Sequence, residues 1–220
     1  MFQPKFTITP EINTRIAEIE RLRTLVDQAV ILPELEVQLR FRATVEAVHS
    51  STSIEGNPLN ELQVQKLLHG KSITAPDYAI RVVLNYKKAL DWLHSQEIMD
   101  KQFLSRDILD LHSLVMDRLL PAKKVGHFRS GDVFVIDQVG KREILRYTGP
   151  QASLVPQLVS SLLKWISVQE KSFLHPVLLA GLVHYMFVSI HPFSDGNGRL
   201  GRFLMNAMLA SGGYPWTIVR

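Results

Sequence analysis

No cysteine occurs among the 220 residues. That removes any disulfide framework and any thiolate metal site, and it fits a reducing compartment. No dense run of lysine or arginine appears either. The net charge of +4 and pI of about 9.4 are read as a mildly basic, solvated surface rather than a nucleic-acid stripe. The longest apolar run, 177–190, is interrupted by His184 and falls short of a bilayer span. The opening Met1-Phe-Gln-Pro-Lys lacks the pattern of a secretory signal. A soluble, cytoplasmic protein is the expectation. The lysine-bearing phosphate loop of ordinary nucleotide-binding proteins is missing, as are internal repeats, low-complexity tracts and long linkers. What is present, 46% hydrophobic and 21% charged residues with mean hydropathy +0.05, is the composition of a folded globular chain. Its length suits one large domain, or one domain with a small appendage.

One stretch concentrates chemistry: His191-Pro-Phe-Ser-Asp-Gly-Asn-Gly-Arg-Leu-Gly-Arg202. An almost wholly apolar segment, 176–190, precedes it. A segment of helical spacing, 200–209, follows and ends at Gly212-Gly213. The pattern predicts helix, tight loop, helix. Gly196-Asn197-Gly198 can reach backbone conformations closed to most residues, asparagine included as tolerant of the left-handed region. Successive N–H groups in such a turn form an anion nest. They open into a helix whose first N–H groups are unpaired and whose dipole is positive there, which makes a phosphate seat. Arg199 and Arg202, three apart, share a helix face, and two guanidinium forks suit a polyphosphate. Asp195 at the lip could hold Mg2+ that also binds phosphate oxygens. His191 is the side chain best suited to take a proton near neutral pH. Taken singly, each feature has a plain structural reading: a core histidine, an ordinary turn, a solvated arginine face. It is their order in one segment that is specific.

That order resembles the signature of the Fic family: His, Pro, Phe, any residue, Asp or Glu, Gly, Asn, Gly, Arg, two residues, Arg. Every fixed position matches. Most Fic proteins transfer AMP from ATP to a hydroxyl of a target protein. The resemblance implies a mainly α, Fic-like helical bundle with a small β-hairpin flap. It makes His191 the base, Phe193 the loop's core anchor and Asp195 the Mg2+ ligand. Gly196, Asn197, Gly198 and Arg199 would cradle the phosphates, and Arg202 would fix the γ-phosphate.

The chain in order supports a helical protein. Thr9-Pro10 starts a helix to about Val26, with Ile12, Ile16, Ile19 and Leu22 on one face. Pro33 opens a second, long amphipathic helix, through Leu35, Leu39, Arg42, Val45 and His49, to the serine cluster 50–53. Gly56 and Pro58 stop it. Ser51 and Glu55 fall on one face of its last turn, where a carboxylate is electrostatically unfavourable and calls for a cation elsewhere. Ser51, three residues, Glu55, Gly56 resembles the Fic inhibitory motif. The resemblance implies that Glu55 pairs with Arg202 and disables the γ-phosphate site. In some relatives the same carboxylate orients water to remove AMP, so either use is open. Residues 1–60 are then N-terminal helices including the inhibitory helix, and 61–220 the catalytic core.

Asn60 caps a short helix, 61–68; Pro76 starts one to about His94, with Ile80, Val83, Tyr86, Leu90 and Leu93 inward. Ser105 is expected to cap a helix to Leu120, with Ile108, Leu111, Val115 and Leu119 inward and Pro121 ending it. His94 and His112 lack ligand-spaced partners and read as structural. Segments 133–136 and 143–147 are β-prone and read as a hairpin. In Fic proteins such a flap clamps the target's main chain by strand addition. The 133–147 hairpin falls in the matching place, with Gly126-His-Phe-Arg129 resembling the usual lead-in and Val135 as the flap residue near the nucleotide; a surface ornament is the other reading. Residues 150–169 resume helix, with Leu154, Leu158, Leu162 and Trp165 inward, and His184 is expected to be hydrogen-bonded core. The ending, 213–220, reads as truncated, because related Fic proteins continue with further helices and often a winged-helix domain. Nucleic acid would enter only through that missing part. A nucleotide-sensing regulatory module without turnover, or transfer of a different phosphate-containing group, stands beside the AMP-transfer reading. The target, the balance of AMP addition and removal, and homo-oligomerisation are left open.

Overall fold

The computed structural model describes residues 4–95, 103–140, 142–170, 172 and 174–214. Among them are eight α-helices and one two-stranded sheet: α1 Pro10–Asp27, α2 Pro33–Ser53, α3 Glu61–Leu68, α4 Asp77–Ser95, α5 Ser105–Val115, β1 Phe134–Val139, β2 Arg142–Thr148, α6 Val155–Gln169, α7 Pro176–Ile190 and α8 Asn197–Ser211. The mainly α class with a hairpin is therefore the observed one.

Helix starts follow local chemistry. Thr9 accepts a hydrogen bond from the Ile12 amide at 3.3 Å ahead of Pro10. Asn60 and Gln63 close a reciprocal capping box, at 2.9 and 3.0 Å. His175 caps α7 by accepting from the Val177 amide at 3.3 Å. At the next helix the expectation shifts by one residue. Leu104 holds the cap position of α5, with extended backbone, and its N–H donates to Asp107 at 2.8 Å. This helix also ends at Val115 rather than Leu120. The chain turns at 116–119 through Arg118, at φ 54°, well before Pro121 could act.

The core is built around the α7–α8 pair. Val183, Phe187, Ile190, Phe193, Leu200, Phe203 and Leu204 are buried, each such apolar side chain contributing about 1.5–3 kcal/mol. The α5 and α6 helices pack around this pair, while α3 and α4 pack on α2. The C-terminal end of α2 reaches α8, bringing 51–55 to the loop before α8.

Three expectations about faces change. On α6 the buried stripe is Val155, Val159, Leu162, Leu163 and Ile166, while Leu154 is exposed in a short 3-10 turn, 152–154. Leu162 is buried as expected and Leu158 and Trp165 pack against the core half-buried, so the inward face is wider than the expected stripe and only Leu154 falls off it. No residue of α1 is fully buried, and Leu35 and Leu39 on α2 are 47% and 46% exposed. Periodicity marks an apolar stripe, but only a neighbouring element buries it: Ile12, Ile16 and Ile19 on α1 are half-buried, with Ile19 against the core, while Leu35 and Leu39 stay open. Polar contacts also tie α1 down: Glu20 accepts from Tyr214 and lies 3.1 Å from His175, and Arg23 sits over the Tyr214 ring at 4.7 Å. Finally, the His184 Nδ1 is buried without a partner among the described residues. A Cβ on Gly201 would lie 3.2 Å away, so α8 approaches there with no donor to offer.

Candidate active site

The α7 helix ends at His191, which adopts the left-handed conformation (φ 50°, ψ 60°) while its N–H still bonds the Phe187 carbonyl at 3.0 Å. For a non-glycine residue that costs about 1–2 kcal/mol. Pro192 forbids further helix, and the chain drives Phe193 inward. The Phe193 ring is fully buried, stacked on His112 at 3.8 Å and tilted against Phe128 at 5.5 Å. Asn197 closes the loop with both ends of its amide, accepting from the Phe193 N–H and donating to its carbonyl, each at 2.9 Å. The turn itself is made by Gly196 at φ +83°, where a Cβ would meet the Met116 sulfur at 2.8 Å. This refines the expected nest: the left-handed residues are His191 and Gly196. Asn197 is the first residue of α8, and its side chain braces the loop.

Glu55 lies over the start of α8. Its Oε1 is 2.7 Å from the Arg202 Nη2, and a Cβ on Gly198 would fall 2.2 Å from the same oxygen. A carboxylate thus occupies the space above the first turn of α8, where unpaired N–H groups and the helix dipole favour an anion. Ser51 adds two bonds to the same guanidinium, from its hydroxyl at 3.0 Å and its carbonyl at 2.8 Å. Tyr86, buried on α4, lies beside Ser51. Both signature arginines are buried rather than solvated, and they answer different carboxylates. Arg199 donates to Asp195 at 3.2 Å, and its Nε is buried with no partner among the described residues.

Asp195 spends one oxygen on Arg199 and on the Gly196 N–H. Its other oxygen has no hydrogen bond among the described residues, and the side chain is 52% exposed. Mg2+ is commonly held by one or two carboxylates together with substrate phosphates. A free carboxylate oxygen beside an anion seat fits such an ion. Among the described residues no cluster of three or more metal-binding side chains could cage one unaided.

Burial pushes the His191 imidazole below the usual histidine range; contact with the Val188 carbonyl opposes this, the Arg129 cation assists it, and Asp195 and Glu55 oppose it. Neutral imidazole therefore dominates near pH 7, as a proton acceptor requires. Burial depresses His112 further, to about 4. Its Nδ1 accepts from the Gly126 N–H at 2.9 Å, which leaves Nε2–H to donate to the Asp195 carbonyl at 3.2 Å. His112 is structural, as expected, but it also forms the floor of the loop. A consequence is pH-dependent stability. The unfolded imidazole takes up its proton at about 6.5, the folded one only at about 4, so unfolding absorbs a proton in between. His112's contribution is complete above pH ~6.5 and is lost as pH falls towards 4, by roughly 3 kcal/mol. Denaturant titrations from pH 7 to 4.5 should show this slope, reduced in His112→Gln; equal slopes would contradict it.

Sequence reasoning did not single out Arg129, whose buried guanidinium binds the His191 carbonyl at 2.7 Å. The lead-in motif contained it, yet nothing local shows what a residue 62 positions away will touch. The hairpin pairs antiparallel, with an irregularity between Val135 and Ile136. The Val135 and His94 side chains, and residues 215–220, lie outside the described residues.

Fold and site together define a helical protein whose loop places an imidazole beside an anion seat at a helix N-terminus. Residues 102–209 match the Fic/DOC family, and this segment is a Fic domain. The protein adenylyltransferase Fic of Drosophila erecta is 32% identical over 211 residues, 91% of this chain and 40% of the relative. Its namesake from Nematostella vectensis is 31% identical over 182 residues, 81% of this chain and 40% of the relative. A solved Fic family protein from Desulfovibrio desulfuricans superposes with a TM-score of 0.78 at 30% identity, over 95% of this chain and 60% of that one. A Fic-domain-containing signaling protein from Bacteroides thetaiotaomicron gives 0.79 at 26% identity, over 93% and 76%. The chain spans about two-fifths of the length of these two curated relatives. No helix among the described residues is long and apolar enough to cross a membrane.

Proposed function

We propose that this chain transfers AMP from ATP to a hydroxyl of a protein, and that Glu55 holds it inactive. The observation that carries the reading is the Glu55 carboxylate seated on Gly198 and Arg202, an anion already lodged where a triphosphate would sit. The relatives named protein adenylyltransferase supply the reaction class. In this reading His191 accepts the proton of the incoming hydroxyl, whose oxygen attacks the α-phosphorus in line while the bond to pyrophosphate breaks. The N–H groups of Asn197 and Gly198 and the Arg199 guanidinium hold phosphate oxygens, Gly196 makes the turn that presents them while its own N–H is held by Asp195, and a phosphate would satisfy the orphaned Arg199 Nε. Arg202, released from Glu55, would take the γ-phosphate. Asp195 would hold Mg2+, which when bound neutralises phosphate charge.

Residues 1–60 then act as the regulatory segment and 61–220 as the catalytic core. The 133–147 hairpin, with Phe134, Leu145 and Tyr147 exposed, offers an edge to an extended target segment, and Val135 sits on its first strand. Lack of cysteine suits a cytoplasmic setting. Two labels test the reaction. Incubation with ATP labelled at the α-phosphate, and separately at the γ-phosphate, should put only the α label on protein, with mass spectrometry locating AMP on a hydroxyl. Transfer of the γ label would refute it. Binding of ATP with no adduct, even in Glu55→Gly, would favour a nucleotide-sensing module.

A further inference from the structure

We propose that Arg129 is a positioning residue that couples the hairpin to the backbone of His191, so that the target-docking strands and the base move as one unit. The inference rests on the reading of His191 as base and of the hairpin as docking edge. Arg129 is buried and makes no ion pair among the described residues. Its guanidinium is spent on main-chain carbonyls from three places. Nε donates to His191 at 2.7 Å, Nη1 to Gly131 at 2.8 Å, and Nη2 to Pro150 at 2.6 Å, with Ile190 further off at 3.5 Å. Gly131 lies just before β1 and Pro150 just after β2, so one rigid fork grips both stems of the hairpin and the end of α7. The Arg129 N–H adds a fourth tie, to the Pro192 carbonyl at 2.9 Å. Between the stems, the Gly149 N–H bonds the Val133 carbonyl at 2.9 Å.

Burying a cation on carbonyls alone is costly, and burial lowers the Arg129 pKa. A stabilising contact could be had more cheaply from an apolar side chain. What only a planar five-donor group supplies is several carbonyls held at fixed mutual angles. One of them belongs to a residue in the left-handed region, a conformation that persists only when its surroundings enforce it. A second tether runs in parallel: the Tyr147 hydroxyl on β2 donates to the Ser189 carbonyl, two residues before the base.

The test uses the Glu55→Gly chain as parent. Arg129→Lys should cut the rate of AMP-adduct formation at saturating ATP by roughly 30- to 100-fold. Directly measured ATP affinity should stay within about threefold, since the phosphate seat is untouched. Tyr147→Phe, a substitution at an exposed side chain, should cut the rate by roughly threefold with the same unchanged affinity. Arg129→Gln removes a cation that disfavours imidazolium, so the acid limb of its pH–rate profile should move to higher pH. A purely structural role predicts otherwise: rate and ATP affinity falling together, or an unmoved acid limb, overturns the proposal. Should Arg129→Lys fail to fold, an unchanged rate in Tyr147→Phe overturns it. Should the parent form no adduct, the AMP-transfer reading fails instead, and hydrogen exchange still decides the coupling. The amides of residues 189–191 and 193 should exchange faster in Tyr147→Phe while those of α4 do not; equal exchange at these four positions refutes it.

Discussion

Glu55→Gly is expected to raise the rate of AMP-adduct formation by about 30- to 150-fold, the range that a coupling of 2–3 kcal/mol produces. Two effects add in one direction. The carboxylate leaves the space above Gly198, freeing the first turn of α8, and Arg202 loses its only carboxylate among the described residues. Both become available to the triphosphate. The fold should tolerate the change. Arg202 keeps its two bonds to Ser51, and the substitution removes a carboxylate from the unfavourable end of α2. Removing Glu55 leaves the buried Arg202 cation without its carboxylate, a loss of about 1.5–3 kcal/mol, and relief at the helix end offsets part of it. Labelled ATP measures the rate and denaturant unfolding the stability. An unchanged rate in a folded variant would remove Glu55 from the regulatory role.

His191→Ala in the same parent should lower adduct formation by about 10²- to 10⁴-fold, the usual worth of a general base. ATP affinity should hardly change, because the phosphate seat is made by α8 and its arginines, not by the imidazole. Alanine meets a similar left-handed penalty to histidine, so the loop geometry should survive. The parent's own pH dependence belongs with this prediction. Since burial holds the imidazole below the ordinary value of 6.5, activity should persist below that pH and fall only as His191 protonates. A His191→Ala enzyme retaining full rate, or an acid limb above 6.5, would assign the base elsewhere.

Much of this molecule was legible because its signals are local. The Thr9-Pro10 start and the Asn60 cap each act through atoms within a turn of one another, so propensity and capping suffice. The 191–202 segment is likewise short, and its glycine, proline and asparagine leave the backbone few options. What failed was what depends on a neighbour. How wide the buried face of α6 would be, taking in Val155, Val159, Leu163 and Ile166 beside Leu162, was decided by the elements packed on it, and the early end of α5 by a left-handed Arg118.

The sequence by itself determined the helices' beginnings, the hairpin and the chemistry of one loop, because those follow from backbone preferences and contacts a few residues apart. Only the tertiary structure decided that His112 would stack beneath Phe193, that Arg129 would clasp the His191 carbonyl, and that Glu55 would lie on Gly198. The resemblance had suggested which residue faces Arg202; the separation of 147 positions between them gave no local sign of it. Such contacts come from the packing of whole helices, where burial of apolar faces sets the placement and the polar groups carried along must find partners across it.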